Sequence, residues 1–202
     1  MNLRDKLSLK NDEVRCELQD PSAVAEISNT LFNWLPSSPV EIVIVCIGTD
    51  RSTGDSLGPL TGTLLNDKNL NNLTVYGTLK DPVHAKNLEE KLKQIYQKHN
   101  APFVIAIDAC LGKVKSIGSI ITKKGPIRPG AALNKDLPGV GDVHLSAVVN
   151  ISGFMEYLVL QNTRLHIVMQ LARKISNSIY QLDRIITLHT PKITYKSESV
   201  SL

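Results

Sequence analysis

The chain has 202 residues, of which 42% are hydrophobic and 21% are charged, and its formal net charge at pH 7 is +4. This composition is typical of a globular protein with one hydrophobic core, and so mild a charge disfavours nucleic-acid binding, which usually relies on clustered cations with stacking aromatic residues between them. No apolar run reaches the length that a membrane span requires, so neither nucleic acid nor membrane is expected as a partner.

The three cysteines also bear on where the protein works. Cys16, Cys46 and Cys110 show no short spacing, and two of them lie in or beside apolar segments. Buried, unpaired cysteines are typical of a reducing compartment. The first residues contain no apolar segment of the kind that a secretory signal needs. We therefore expect a cytoplasmic protein.

The first half of the chain predicts alternating helices and strands. Residues 1–19 are polar and are expected to form a frayed arm. Asp20 and Pro21 are typical of a helix start, and the apolar spacing after them predicts a helix that ends at Pro36. The elements expected next are a strand at 41–48, a helix at 57–65, a strand at 73–79 and a helix at 86–98.

The second half continues this alternation. The elements expected here are a strand at 101–112, an antiparallel edge strand at 117–122, a strand at 143–151 and a long helix at 155–179. Residues 123–142 are rich in glycine and proline and predict a long loop, and such loops are usually functional or mobile. Residues 183–202 are expected to form a second peripheral arm.

These elements predict an α/β protein with a three-layer, open and mainly parallel sheet that carries helices on both faces. We expect one domain over residues 1–202, with its core at about 40–180. In sheets of this kind, ligands bind beyond the carboxyl ends of the strands. Asp55 follows one predicted strand and Asp108 ends another, so both are expected at the same edge.

The segment GTDRSTGDSLGP (48–59) admits three kinds of site. A phosphate-binding loop needs lysine where Asp55 stands, and a carboxylate repels phosphate. The residues around Ser56 match G-x-S-x-G and spell the GDSL signature of an esterase family, but a nucleophile elbow requires a sharp turn directly after the strand. The third interpretation is a carboxylate site built on Asp55.

The carboxylate interpretation depends on Asp108. A charge at the end of a buried strand is costly unless it is paired, hydrogen-bonded or metal-bound. The structural alternative is an aspartate that caps nearby backbone N–H groups. If Asp55 shares the site, one carboxyl group can act as acid and the other as base. The pair could instead hold a divalent metal with His144 or Asp142 as a third ligand, and no other cofactor is expected.

Two of these segments, together with three later ones, resemble a known family. The chain resembles the spore germination protease and, more closely, the smaller YyaC-type sporulation proteins, over roughly residues 40–175. The segments that carry the resemblance are GTDRSTGDSLGP (48–59), AIDA (106–109), GAA (130–132), LPGVGD (137–142) and GFMEYLVLQNTR (153–164).

The resemblance implies a phosphorylase/hydrolase-like fold, which is shared with the hydrogenase maturation endopeptidases. In the germination protease two aspartates are regarded as the catalytic pair of an atypical acid protease, and these positions fall on Asp55 and Asp108. In the hydrogenase-processing enzymes two carboxylates and a histidine bind a metal. The carboxylates again fall on Asp55 and Asp108, and His144 is the nearest histidine.

The leading hypothesis is therefore a sporulation-associated, peptidase-like hydrolase of protein or peptide substrates in the forespore or spore core. Asp108 would hold the proton and Asp55 would stay ionised. The surrounding residues expected to bind substrate or position the loop are Gly48, Thr49, the ion pair Asp50–Arg51, and Asp142, with backbone N–H groups of Gly48, Thr49 or residues 139–141 as oxyanion donors.

Two alternatives stay open at this point. One is a catalytically inactive peptide- or ligand-binding protein on the same fold. The other is a metal-dependent endopeptidase. The apolar stripe on the predicted long helix is compatible with a homo-oligomer.

Overall fold

The computed structural model describes residues 12–38, 40–129 and 137–189. Within these ranges the strands are β1 (Glu13–Glu17), β2 (Ile42–Cys46), β3 (Leu73–Tyr76), β4 (Phe103–Gly112), β5 (Ser119–Lys124) and β6 (Val143–Ile151). The helices are α1 (Ala23–Trp34), α2 (Leu57–Asn66), α3 (Leu88–Lys98), α4 (Glu156–Gln161) and α5 (Leu165–His189), with 3-10 turns at Gly54–Ser56 and Val114–Ser116. None of these helices has both the length and the apolar character that a membrane crossing requires.

The strands form a mixed sheet in the order β1-β5-β6-β4-β2-β3. Strands β3, β2, β4 and β6 are parallel, and β5 and β1 continue the sheet in antiparallel pairing. The carboxyl ends of β2 and β4 therefore lie at one edge. This topology confirms the predicted α/β fold with a mainly parallel sheet.

Helices cover both faces of the sheet, which explains why β2 is apolar at every position. Ile44 packs into a cluster with α1, α2 and α5, and its neighbour Val45 packs into a second cluster with α3. All five β2 residues are buried. A strand that is covered on both faces cannot alternate between apolar and polar residues, because each side chain enters a core.

The expected arm at residues 1–19 is corrected by β1. Glu13–Glu17 pairs with β5 along its whole length, so β5 is not the edge of the sheet. Cys16 is buried and Val14 packs on the core, whereas Glu13 and Glu17 are exposed on the other side. This is the period-2 pattern of a half-buried strand. Residues 1–11 of the expected arm lie outside the described residues.

The predicted helix at 155–179 is also corrected. The structure has α4 and α5 in its place, separated by residues 162–164, and Met155 before α4 has a left-handed φ of 57°. Helix α5 continues to His189, so the start of the expected C-terminal arm at 183 is helical. The buried Asp183 carboxylate accepts hydrogen bonds from the backbone N–H groups of Asn71 and Asn72.

The loop predicted at 123–142 is shorter in the structure, because residues near both of its ends form β-structure. Lys123 and Lys124 belong to β5, and Ile127 and Val140 form an isolated antiparallel bridge. Residues 130–136 of this loop lie outside the described residues.

Candidate active site

A folded-back turn places Asp55 beyond the carboxyl end of β2. Gly48 has a φ of 146°, and a Cβ atom there would lie 1.9 Å from the backbone oxygen of Asp55. The Thr49 N–H donates a hydrogen bond of 3.1 Å to the same oxygen. Because the chain comes so close to itself, position 48 accepts only glycine. Asp55 lies in the 3-10 turn that leads into α2.

The same turn is held from its other side by the segment around α4. A Cβ atom on Gly54 would lie 2.7 Å from Leu160 Cδ2 and 3.1 Å from Thr163 Oγ1. Asn150 of β6 donates a hydrogen bond of 3.2 Å to Thr163 Oγ1. None of these three side chains was expected in the site. Leu160 and Thr163 lie in the motif at 153–164, which indicates no direction of packing, and Asn150 lies outside it.

Asp108 lies in β4 at the point where β2 has ended. Its neighbour Ile107 pairs with Cys46, the last residue of β2, and Asp108 itself pairs with Ser146 of β6. The side chain lies on the α3 face of the sheet, since Ala106 two residues earlier packs there. Asp108 is only partly buried, and its Oδ1 accepts a hydrogen bond of 2.8 Å from the Ala109 N–H.

The two aspartates interact electrostatically. Burial raises the pKa of Asp108 from 3.8 to about 8, the Ala109 N–H opposes this rise, and the negative charge of Asp55 adds to it. Burial also raises the pKa of Asp55, and the Ser52 hydroxyl lowers it. The negative charge of Asp55 thus acts on Asp108, as expected for carboxyl groups at one edge of the sheet, and the paired site and its catalytic role stay predictions.

His144 and Asp142 do not join this pair. His144 Nδ1 lies 2.8 Å from the Gly125 carbonyl oxygen. Asp142 is exposed, and its Oδ2 accepts a hydrogen bond from the Val104 N–H at the start of β4. Val104 precedes Asp108 by four residues, which is about 13 Å along an extended strand. Asp142 therefore braces the opposite end of the strand.

The metal hypothesis can be tested on the arrangement of donor groups. In the described ranges, no three or more His, Cys, Asp or Glu side chains are grouped so that they could hold a metal ion. Asp55 and Asp108 provide two carboxyl groups, and the Nδ1 atom of His144 faces the Gly125 carbonyl oxygen. Because no third donor is grouped with the two aspartates in the described part of the chain, no catalytic step is assigned to a metal.

Two expectations for the loop residues, the backbone oxyanion donors and the Asp50–Arg51 ion pair, are corrected. The Gly48 N–H donates to the Val83 oxygen at 2.8 Å and the Thr49 N–H donates to Asp55, so neither is a free oxyanion donor. Among the ion pairs of the described residues there is none between Asp50 and Arg51.

Two further donors, one N–H group and one hydroxyl, already donate to backbone carbonyl oxygens. The Val140 N–H, in the second expected oxyanion segment, donates to the Ile127 oxygen at 2.8 Å. The Ser56 hydroxyl donates to the Thr53 carbonyl oxygen at 2.6 Å. This bond, together with the burial of Ser56, disfavours the esterase interpretation.

A cavity of about 420 Å³ is lined by the last residues of β4, among them Cys110, which is two residues after Asp108. Three cationic side chains line it, and none of them forms an ion pair with another described residue: Arg15, Lys113 and Lys115. Burial raises the pKa of Cys110 to about 11, Asp108 raises it further and Arg15 lowers it. The charges of the cavity and of the aspartate site therefore act on the same thiol.

Comparisons with known proteins give a family, a relative and a solved structure. The model of the family described as "Protein of unknown function (DUF1256)" matches residues 15–178. The chain is 53% identical over 166 residues to "Uncharacterized protein YyaC" of Bacillus subtilis (strain 168), which covers 82% of this chain and 81% of that protein. Among solved structures it is similar to the NiFe hydrogenase maturation protease HycI from Thermococcus kodakarensis KOD1, with a TM-score of 0.49 and 16% identity over 73% of this chain and 95% of that one.

Proposed function

The chain belongs to the DUF1256 family and is of the YyaC type, and we propose that its Asp55–Asp108 pair makes it a peptide-bond hydrolase related to the spore germination protease. The observation that carries this proposal is the raised pKa of Asp108, about 8, which is caused first by burial and in smaller part by the negative charge of Asp55. A carboxylic acid that keeps its proton at neutral pH beside an ionised partner is the arrangement that acid–base hydrolysis needs.

The proposed reaction divides the work between the two aspartates. Asp55 accepts a proton from a water molecule, whose oxygen attacks the peptide carbonyl carbon. Asp108 donates its proton to the carbonyl oxygen, so the intermediate is a neutral diol. The C–N bond then breaks as Asp55 returns its proton to the leaving nitrogen and Asp108 recovers one from a diol hydroxyl. Both groups end in their starting states.

The position of the pair supports access for a substrate. Both carboxyl groups lie past the end of β2, and both residues are partly exposed. The structural alternative for Asp108 was a cap on nearby backbone N–H groups. Asp108 receives one such hydrogen bond, from Ala109, which leaves acceptor positions on its carboxyl group for a ligand.

The test is cleavage of unstructured protein and peptide mixtures, followed by mass spectrometry. Asp55→Asn and Asp108→Asn should each reduce cleavage by about 100-fold or more, since each removes an acid–base group. Asp67→Asn is a matched control, because Asp67 is an exposed aspartate just after the helix that follows Asp55. Undiminished cleavage by both site variants would remove the pair from the mechanism.

We also propose that the protein acts during sporulation, inside the forespore or spore core. The support is the resemblance of its motifs to sporulation proteins and the 53% identity to a Bacillus subtilis protein. A fluorescent fusion expressed from the native promoter should accumulate in the forespore after sporulation begins. Equal accumulation during vegetative growth would contradict this setting.

A second candidate function is binding without catalysis, and the cationic cavity favours it. Arg15, Lys113 and Lys115 would attract an anionic peptide or small ligand. A binding protein would be stabilised against heat by such a ligand and would leave it intact. Cleavage that depends on Asp55 and Asp108 would decide against this candidate.

A further inference from the structure

Ser52 has a buried side chain whose hydroxyl makes no hydrogen bond in the described part of the chain. It is 5% exposed, and its Oγ atom has no hydrogen-bond partner in the described part of the chain. Leaving a buried hydroxyl unpaired costs about 1–3 kcal/mol, so such a group in a candidate site calls for an explanation. Thr122 and Ser176 share this property among the described residues, but they lie in β5 and in the middle of α5.

The backbone places Ser52 beside Asp55. The Ser56 N–H donates to the Ser52 carbonyl oxygen at 3.0 Å, which closes a helical turn over 52–56. Residues three apart on such a turn present their side chains next to each other. The Ser52 hydroxyl falls short of hydrogen-bond geometry, yet it lies close enough to lower the pKa of the Asp55 carboxyl.

Few other groups act on the Asp55 carboxyl. Burial raises its pKa and the Ser52 hydroxyl lowers it, and the titratable group that faces it from the neighbouring element is Asp108 of β4. The hydroxyl of Ser56, in the same turn, is committed to the Thr53 carbonyl. Ser52 is thus a buried donor without a partner that lies three residues before Asp55 and can turn toward it.

We propose that Ser52 is a positioning residue, whose hydroxyl donates a hydrogen bond to the Asp55 carboxylate when the reacting water is bound. This hydrogen bond fixes which carboxylate oxygen accepts the proton of the water. It also keeps Asp55 the ionised member of the pair while Asp108 retains its proton. The inference rests on the proposed hydrolase function.

The first measurement does not depend on catalysis. The carboxyl carbons of Asp55 and Asp108 are followed by NMR across a pH titration in the wild type and in Ser52→Ala, with Ser176→Ala as the matched control. Ser52→Ala should raise the pKa of Asp55, since a donor to the charged form is lost. Ser176→Ala removes an equally buried, unpartnered hydroxyl in α5 and should leave both titrations unchanged.

The second measurement is kinetic. Ser52→Ala should lower kcat by about tenfold with little change in KM and move the acidic limb of the pH profile upward, since one hydrogen bond to a charged group is removed. Ser52→Thr keeps the hydroxyl and should restore both kcat and the acidic limb of the pH profile. Ser52→Cys has nearly the volume of serine but is a weak donor, so it should behave like Ser52→Ala even if alanine disturbs folding.

The outcomes separate the two proposals. An unchanged Asp55 titration in a folded Ser52→Ala or Ser52→Cys protein overturns the positioning role, whatever the activity. A shifted titration in a protein that cleaves no peptide, as wild type or variant, supports the Ser52–Asp55 interaction and counts against the hydrolase.

Discussion

Replacing Asp108 by asparagine should change how the stability of the protein depends on pH. The pKa of Asp108 is about 8 in the folded protein and 3.8 as its reference value. Between these values the unfolded chain releases a proton that the folded protein retains. The free energy of unfolding of the wild type therefore falls as the pH rises from about 4 to about 8. Asparagine has no proton to lose, so Asp108→Asn lacks this component.

The magnitude follows from the pKa rise. At about 1.4 kcal/mol per pKa unit, the full rise would correspond to about 6 kcal/mol. Asp108 is partly exposed, so water and side-chain relaxation reduce this value, and we expect about 2 kcal/mol between pH 5 and pH 8. Relative to the wild type, Asp108→Asn should gain this much stability over that interval.

Urea unfolding at a series of pH values measures the effect, with the fluorescence of the single tryptophan, Trp34, as the signal. Trp34 packs on the main core, so its emission should report loss of tertiary structure. Asp67→Asn, at an exposed position, should run parallel to the wild type. Parallel curves for the wild type and Asp108→Asn would refute the claim that Asp108 is held protonated by its surroundings.

Three further predictions follow from the same site. Asp55→Asn should lower the pKa of Asp108, because the charge of Asp55 raises it; an unchanged Asp108 titration by NMR would show that the two groups do not interact. Gly48→Ala should destabilise the protein by about 3 kcal/mol or more in urea unfolding, since the added Cβ would lie 1.9 Å from a backbone oxygen, and a loss below about 1 kcal/mol would contradict the tight turn. Arg15→Ala should raise the pKa of Cys110 and slow its alkylation by iodoacetamide at a fixed alkaline pH, whereas an unchanged or faster rate would argue against a guanidinium near the thiol.

The strands that build the site could be predicted from local sequence. The runs IVIVC in β2 and FVIAI in β4 are apolar at consecutive positions, as strands covered on both faces must be. Parallel pairing then follows from the helices between them, and it carries Asp55 and Asp108 to the same edge. The placement of the two aspartates at one edge needed only topology, because Asp55 follows β2 and Asp108 lies in β4 just beyond the point where β2 ends.

The strand β1 was missed although its residues alternate. EVRCE is short and mostly charged, and its partner β5 lies about a hundred residues later in the chain. Half-buried edge strands of this kind are stabilised by the pairing itself, and a local pattern of five residues carries little of that information. The same holds for the break between α4 and α5, which depends on contacts with the turn at Gly54.

A third residue beside the two aspartates could not be predicted from the sequence, for a different reason. His144 and Asp142 were considered because they are the right residue types in the right region of the sequence. Their actual partners are the Gly125 carbonyl and the Val104 N–H, and both depend on how the loop before β6 folds. Ser52 escaped notice because a serine in a polar loop is unremarkable until its burial is known.

The hydrogen bonds of the Asp183 carboxylate limit how far the C-terminus of this chain can be shortened. The matched family region stops at residue 178, yet Asp183 accepts backbone hydrogen bonds from Asn71 and Asn72, which lead into β3. A fragment that ends at the family boundary would leave those two backbone N–H groups without their acceptor, at the edge of the sheet next to β3. It would also lack the last turns of α5. Such a shortened chain should have a lower melting temperature than the full chain, and it should not replace the full chain in assays of the aspartate pair.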